Sequence, residues 1–222
     1  MPAFNEAEVI GDVIDEIAAT GHRLVVVDDC SADPTSEVAQ QRPWVDVLRH
    51  PVNLGQGAAL QTGIEHALAR GAEIIVTFDS DGQHRIEDIP ALLAPLRRGE
   101  ADVALGSRFL APDQSALVQI PARRRAVLRM AAVYTRFTTG LPVTDAHNGL
   151  RAFTAAAARR VQIHQNRMAH ASEILAQIAS NRLRLVEVPV VIRYTPYSLA
   201  KGQRLSNALN ILWDLLLGHI RR

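Results

Sequence analysis

Along the first 110 residues, short apolar runs alternate with stretches whose apolar positions recur at helical spacing. Residues 24–27, 45–48, 74–78 and 103–105 are apolar runs of strand length. The first ends at Asp28-Asp29, the third at Asp79 and the fourth at Gly106-Ser107. Between them, Val9, Ile10, Val13, Ile14 and Ile17 share one helical face, and Asn5 with Glu8 has the spacing of a capping box. Asp33-Pro34 has the form of an N-cap followed by proline at the first helical position. Ala59, Leu60, Ile64, Ala67 and Leu68 make a further stripe that stops at Gly71. This alternation predicts an α/β fold, a mostly parallel Rossmann-like sheet with helices on both faces. Ligands of such sheets bind beyond the carboxyl ends of the strands, where Asp28, Asp29, Asp79 and Asp81 fall.

The second half is less regular. The spacing predicts a helix over 124–138 and strands at 150–153 and 185–194, the latter interrupted by Pro189. With no repeat, low-complexity tract or linker, residues 1–222 are expected to form a single domain. Leu205, Leu209, Leu212, Trp213, Leu216 and Ile220 recur at helical spacing before Arg221 and Arg222. Such a C-terminal amphipathic helix either docks on its own domain or lies on a membrane surface.

Composition narrows the classes. Of 222 residues, 48% are hydrophobic and 21% charged, which is ordinary for a globular chain and excludes a disordered or fibrous one. The lone Cys30 excludes an internal disulfide framework and a cysteine-based structural zinc site, and no cation flanks it to activate a thiolate. There is no run of eighteen apolar residues and no signal-peptide pattern, so a cytoplasmic location is expected. No basic stripe interleaved with aromatics appears, which argues against nucleic acid as a partner. The net charge of +1 hides a split: residues 1–100 hold 7 Arg against 17 acids, a balance of −10, and residues 101–222 balance to +11. The halves either average out on a compact surface or face different partners.

The strongest local signal is Asp79-Ser80-Asp81-Gly82-Gln83-His84 directly after an apolar run. Two carboxylates on one turn, with an amide oxygen beside them, suit Mg²⁺ or Mn²⁺ shared with a substrate's phosphates. A calcium loop of EF-hand type fails, because its sixth position is His84 and its twelfth is Pro90. A Gly-x-x-x-x-Gly-Lys phosphate loop is excluded, since the only lysine is Lys201. Gly55-Gln56-Gly57 either admits close backbone approach or simply opens a helix. Asp28 or Asp29 alternatively caps a turn. The run Arg123-Arg124-Arg125 alternatively forms a solvated face, and His84, His147 and His170 have packing as their default explanation.

Taken in order, five segments resemble one family: Pro2-Ala3-Phe4-Asn5-Glu6, Val27-Asp28-Asp29, Asn53-x-Gly55-x-Gly57, Asp79-Ser80-Asp81-Gly82-Gln83 and Gly106-Ser107-Arg108. The similarity continues through Asp145-Ala146-His147-Asn148-Gly149-Leu150-Arg151-Ala152-Phe153 and Val188-Pro189-Val190 to 197–203, nearly the whole chain. These are similar to the family 2 glycosyltransferases of GT-A fold, in the polyprenyl-phosphate (dolichol-phosphate mannosyltransferase-like) branch. The resemblance implies a donor pocket in residues 1–110, lined by Pro2, Phe4, Glu6, Asp28 and Asp29, with Asp79 and Lys201 at the diphosphate. It implies Asp79, Asp81 and Gln83 around Mg²⁺ or Mn²⁺, with Asp81 and Asp145 as catalytic carboxylates. Arg108 and one of Arg123, Arg124 and Arg125 would hold an anionic acceptor in the half 111–222, guanidinium forks being matched to phosphate oxygens.

One departure stands out. Relatives carry an apolar strand before the Pro-Ala-Phe-Asn-Glu motif, whereas here Met1 immediately precedes Pro2. The expectation is that the first strand is missing and that the natural chain begins upstream. The activity implied is inverting, metal-dependent transfer of a hexose from a nucleoside-diphosphate sugar to a polyprenyl phosphate, with peripheral contact at the cytoplasmic membrane face. The alternatives are a soluble or cell-envelope glycan hydroxyl as acceptor, with Asp145 as a true base, and a non-catalytic nucleotide-sugar-binding relative.

Overall fold

The computed structural model describes residues 1–110, 122–167, 169–193 and 197, the side chains of 122–124 excepted. Its strands are β1 (Pro2–Ala3), β2 (Leu24–Asp28), β3 (Val45–Arg49), β4 (Ile74–Thr77), β5 (Val103–Ser107), β6 (Arg151–Thr154) and β7 (Leu185–Pro189). Its helices are α1 (Ile10–Ala18), α2 (Thr35–Gln40), α3 (Gln56–Ala69), α4 (Ile89–Arg97), α5 (Ala122–Thr139), α6 (Ala155–Arg160) and α7 (His170–Ser180). β1, β2 and β3 pair in that order, all parallel. The other strands run β4-β6-β5-β7, with β6 antiparallel to both neighbours and β7 parallel to β5.

The period-2 pattern of the strands explains why helices cover both faces. Ile74, Val76, Ala104, Ala152, Val186 and Val188 join one apolar cluster with Ile10, Ile14 and Ile17 of α1 and Leu92, Leu93 and Leu96 of α4. Their strand neighbours Ile75, Val103, Leu105, Phe153 and Leu185 turn the other way, onto Leu60 and Ile64 of α3, Ala157 of α6 and Ile174, Leu175 and Ile178 of α7. Burying each such Leu, Ile or Phe stabilises the fold by roughly 1.5–3 kcal/mol.

Four expectations are corrected. The first strand is present in short form, with Pro2 opposite Val27 and Ala3 opposite Asp28. Met1 and Ala3 are buried in the core, and the Ala3 carbonyl accepts the Asp29 N–H at 2.9 Å. The Asn5–Glu8 capping box is not formed, because α1 begins at Ile10 with the Glu6 carbonyl accepting from Val9 and Ile10 at 3.0 and 2.9 Å. Asn5 instead accepts the Ala32 N–H at 2.8 Å, tying the two loops that follow β1 and β2. Asp33 does satisfy the start of α2, its Oδ1 accepting the Thr35 N–H at 3.1 Å, although the helix opens one residue later than expected. The strand expected over 185–194 stops at Pro189; the Val190 N–H still donates to the Ser107 carbonyl at 3.1 Å, and among the described residues beyond it Ile192 forms a bridge to His84.

Candidate active site

β1 and β2 run parallel, and β4 and β5 run in one direction on either side of β6, so the polar residues that end these strands gather at strand carboxyl ends. β6 runs the other way, so its amino end joins them: Arg151 lies opposite Thr77 of β4 and Leu105 of β5. The loop 145–150 that feeds β6 therefore meets the turn that leaves β4. The Thr77 hydroxyl donates to the Gly149 carbonyl at 2.6 Å and fastens the two together.

Asp79 leaves β4 beside this loop. Its Oδ2 stands 3.0 Å from His84 Nε2, and its Oδ1 accepts from Gln56 Nε2 at 3.1 Å. Burial opposes its charge, but the His84 hydrogen bond and the neighbouring His84, His170 and Arg151 hold its pKa below the usual carboxylate value. Asp81, two residues on, is pushed up to about 6 by burial and by the Asp79 charge, against the Gln83 N–H that its Oδ1 accepts at 3.0 Å. One turn thus carries one stabilised and one frustrated carboxylate, the electrostatic state that a cation relieves. Among the described residues, no three His, Cys, Asp or Glu side chains converge as a metal cage. A hard cation here fits two carboxylates and the Gln83 amide only with further oxygens from a substrate, which is how Mg²⁺ and Mn²⁺ are commonly held.

Arg151 is the buried cation of the site, and composition and motif spacing alone assign it no task. Its Nε donates to the Asn148 carbonyl at 2.9 Å. Burial lowers its pKa to about 10, opposed by Asp79 and Asp145, so it stays charged near neutrality. The Asp145 side chain is only 1% exposed, and its Oδ2 accepts the Arg108 Nε–H at 2.6 Å and the Arg108 backbone N–H at 3.2 Å. Glu187 of β7 is likewise assigned no task by the sequence patterns, yet its carboxylate holds the turn that carries Asp145. Both carry a visible signal, a lone charge inside an apolar strand sequence.

The remaining expected residues take mixed positions. Pro2 is part of β1, and Phe4 just beyond it is 45% exposed. Glu6 is buried, with its Oε2 accepting the Tyr197 hydroxyl at 2.7 Å. Asp28 is fully buried and spent internally, taking the Ser31 N–H at 2.9 Å, the Ser31 and Ser36 hydroxyls, and Arg49 at 3.0 Å. Asp29 takes the N–H groups of Leu54 and Gly55 at 2.9 and 2.7 Å and His50 Nδ1 at 2.7 Å, so it pins the loop entering α3. Gly57 is explained by the chain itself: a β-carbon there would overlap the Gln165 carbonyl oxygen, and its N–H donates to Asn166 at 2.8 Å. Arg125 is half-buried near the start of α5. The side chain of Arg124 and all of Lys201 lie outside the described residues.

A family model described as Glycosyl transferase family 2 matches residues 1–162. The chain is 30% identical over 236 residues to UDP-N-acetylglucosamine–dolichyl-phosphate N-acetylglucosaminyltransferase of Methanococcus voltae, covering 98% of this chain and 93% of that protein. It is 31% identical over 201 residues to Undecaprenyl-phosphate mannosyltransferase of Micrococcus luteus, covering 86% and 80%. Glucosyl-3-phosphoglycerate synthase from Mycobacterium tuberculosis, solved with Mn²⁺ and uridine-diphosphate-glucose, matches with a TM-score of 0.68 at 22% identity, over 98% of this chain and 76% of that one. That likeness shows the fold, and the GT-A architecture expected from the ordered motifs is the one found. With residues 1–162 inside the family model and carboxylates and arginines gathered where such sheets bind ligands, the chain belongs to glycosyl transferase family 2 and is a glycosyltransferase.

Proposed function

We propose that the chain transfers a hexose, with inversion, from a nucleoside-diphosphate sugar to a polyprenyl phosphate at the cytoplasmic membrane face. The observation that carries this reading is the turn after β4, where Asp79 is held ionised while Asp81 is pushed up to about 6 beside it. Asp79, Asp81 and the Gln83 amide would hold Mg²⁺ or Mn²⁺ against the donor diphosphate. A divalent ion there supplies positive charge to the departing nucleoside diphosphate. Residues 2–6, with Phe4 exposed for stacking and Glu6 beside Tyr197, would flank the nucleoside; Asp29 would shape that pocket through its loop, and Lys201 would reach the diphosphate. The relatives of Methanococcus voltae and Micrococcus luteus carry polyprenyl-phosphate acceptors in their names, which supports the acceptor class.

In the transfer, an acceptor phosphate oxygen attacks the anomeric carbon while the bond from that carbon to the donor phosphate breaks. A phosphate with a second pKa near ~6 is already a competent nucleophile at neutral pH and needs no base. That suits Asp145, whose carboxylate is committed to Arg108 and buried. Arg108, with Arg125 or Arg124, would hold the acceptor phosphate.

Contact with the membrane is supported by α5, whose Met130, Val133 and Phe137 are 61, 63 and 91% exposed on a helix with five arginines and no acid. Among the described residues no helix is long and apolar enough to cross a membrane, so contact through them would be peripheral.

The test is turnover of UDP-, GDP- and dTDP-sugars with undecaprenyl phosphate in micelles, in Mn²⁺, in Mg²⁺ and in EDTA. Product in metal that is lost in EDTA and in Asp81→Ala is expected. Metal-independent turnover, or full activity of Asp81→Ala, contradicts the metal assignment. Transfer to a glycan hydroxyl that collapses in Asp145→Asn would favour the hydroxyl acceptor.

A further inference from the structure

Glu187 sits in β7 opposite Leu105 of β5, between Val186 and Val188. Its carboxylate receives one turn of a distant loop. The Thr144 N–H reaches Oε1 at 2.7 Å and Oε2 at 2.8 Å, the Thr144 hydroxyl reaches Oε2 at 2.8 Å, and the Asp145 N–H reaches Oε1 at 3.0 Å. The far side of the same turn carries the Asp145 carboxylate, which takes the Arg108 Nε–H at 2.6 Å. Ser107 Oγ lies 2.7 Å from Thr144 Oγ1 and accepts the Phe109 N–H at 3.2 Å, so both flanks of Arg108 are tied to this turn. The links join residues 37 and 42–43 apart in sequence, beyond the reach of any local turn preference.

We propose that Glu187 is a positioning residue for glycosyl transfer: by fixing the turn at 144–145 it sets, through Asp145, the direction of the Arg108 guanidinium. This rests on the reading that Arg108 contacts the acceptor phosphate. The surrounding loop has other anchors. Val143 is fully buried, with its carbonyl accepting from Arg136 Nε at 2.7 Å, and Arg151 Nε holds the Asn148 carbonyl at 2.9 Å. β7 is held independently by its five-residue ladder with β5. Glu187 therefore governs the aim of two residues more than the existence of the loop. A carboxylate accepting several backbone N–H groups is a strong, charge-assisted clamp, and in Glu187→Gln an NH₂ group that cannot accept confronts one of those donors.

The experiment compares wild type with Glu187→Gln, Thr144→Val, Arg108→Gln and the Glu187→Gln/Arg108→Gln double variant, all as full chains. The first readout is hydrogen exchange of the Arg108 Nε–H by NMR, identified by its loss in Arg108→Gln. Exchange about tenfold faster in Glu187→Gln is expected, with a change of the same sign in Thr144→Val, which loses one of the four bonds to Glu187 together with the link to Ser107. The second is calorimetric binding of farnesyl phosphate and, separately, of UDP with Mn²⁺. Farnesyl phosphate affinity about tenfold weaker in Glu187→Gln is expected, and the double variant should bind no more weakly than Arg108→Gln alone, because the two residues act in series. UDP–Mn²⁺ affinity stays within about twofold of wild type, because the hydrogen bonds that hold Asp79 and Asp81 come from His84, Gln56 and Gln83 and none of them runs through Glu187 or Thr144. Unchanged Nε–H exchange in folded Glu187→Gln and Thr144→Val overturns the proposal. So does a parallel fall in both affinities, the mark of a merely structural role. A wild-type chain that ignores farnesyl phosphate refutes the acceptor reading instead, and the positioning claim is then decided by the Nε–H exchange.

Discussion

Gly149 stands so close to Asp79 that a β-carbon on it would lie 2.9 Å from Asp79 Cγ and overlap Oδ2. The backbone has little room to yield, because the Thr77 hydroxyl holds the Gly149 carbonyl at 2.6 Å. In Gly149→Ala the carboxylate must therefore leave His84 and Gln56. A displacement of about 1 Å at a reacting site costs on the order of 100-fold in rate. Gly149→Ala is expected to lose about that much metal-dependent turnover, and its Mn²⁺ titration should weaken in parallel. Wild-type turnover in this variant would mean that Asp79 does not work from the position described.

Asp28 separates a structural task from a binding one. Its carboxylate is fully buried and takes donors from Ser31, Ser36 and Arg49. Asp28→Ala strands the two buried serines, while Arg49, with 43% of its side chain exposed, recovers water. Unsatisfied buried donors cost about 1–3 kcal/mol each, so for the two serines a loss of about 2–6 kcal/mol is expected in urea unfolding. At a temperature where the variant is folded, its nucleotide affinity should remain near that of wild type. A large affinity loss without a stability loss would return Asp28 to the donor pocket as a direct contact.

Strand positions are legible in the sequence because apolar runs of three to five residues end at Asp28, Asp79 and Gly106-Ser107, and the structure keeps those ends within a residue or two. The Asp79–Asp81 turn is legible for the same reason. What each acid touches is not, because the partners come from distant segments: Arg49 for Asp28, the loop at 53–55 for Asp29, Arg108 for Asp145. Gly57 shows the limit well. Its spacing with Gly55 resembles a ligand-cradling loop, yet the group that approaches is the backbone at 165–166, more than a hundred residues away. β1 is invisible to pattern because two residues carry no periodicity; only the ladder with β2 reveals it.

The exposed face of α5 makes its own prediction. Met130, Val133 and Phe137 follow one another at spacings of three and four, so they share a stripe, with Arg129 and Arg136 on the same helix. A surface that is apolar and cationic together fits an anionic bilayer. Replacing Met130 and Phe137 with serine should leave stability within about 0.5 kcal/mol, as exposed positions do. Sedimentation with vesicles containing phosphatidylglycerol should weaken at least about tenfold, since each apolar side chain withdrawn forfeits roughly 1.5–3 kcal/mol. Binding of the wild type should also fall as salt screens the arginines. Equal binding by both proteins would remove α5 from the membrane contact.

His147 predicts how stability depends on pH. Both its ring nitrogens are buried and lack a hydrogen-bond partner among the described residues. Burial lowers its pKa from 6.5 to about 4; Asp145 opposes this, and Arg151, Arg108 and His170 add to it. Between those two values the unfolded chain takes up a proton that the folded chain refuses. Stability contributed by the neutral ring is therefore complete above pH 6.5 and is lost as pH falls toward 4. At about 1.4 kcal/mol for each pH unit between the two values, the full loss approaches about 3 kcal/mol. His170, lowered chiefly by burial, acts in the same direction, so the informative quantity is the difference between wild type and variant. His147→Leu removes the titrating ring and the two unpaired nitrogens together, a change that is nearly neutral or stabilising when shape is kept. Urea unfolding at pH 7, 6, 5 and 4.5 should show the variant near wild type at pH 7 and gaining on it at each lower pH. If the two curves fall with the same slope, the ring takes up its proton as readily folded as unfolded, and the neutral, unpaired state described for it is wrong.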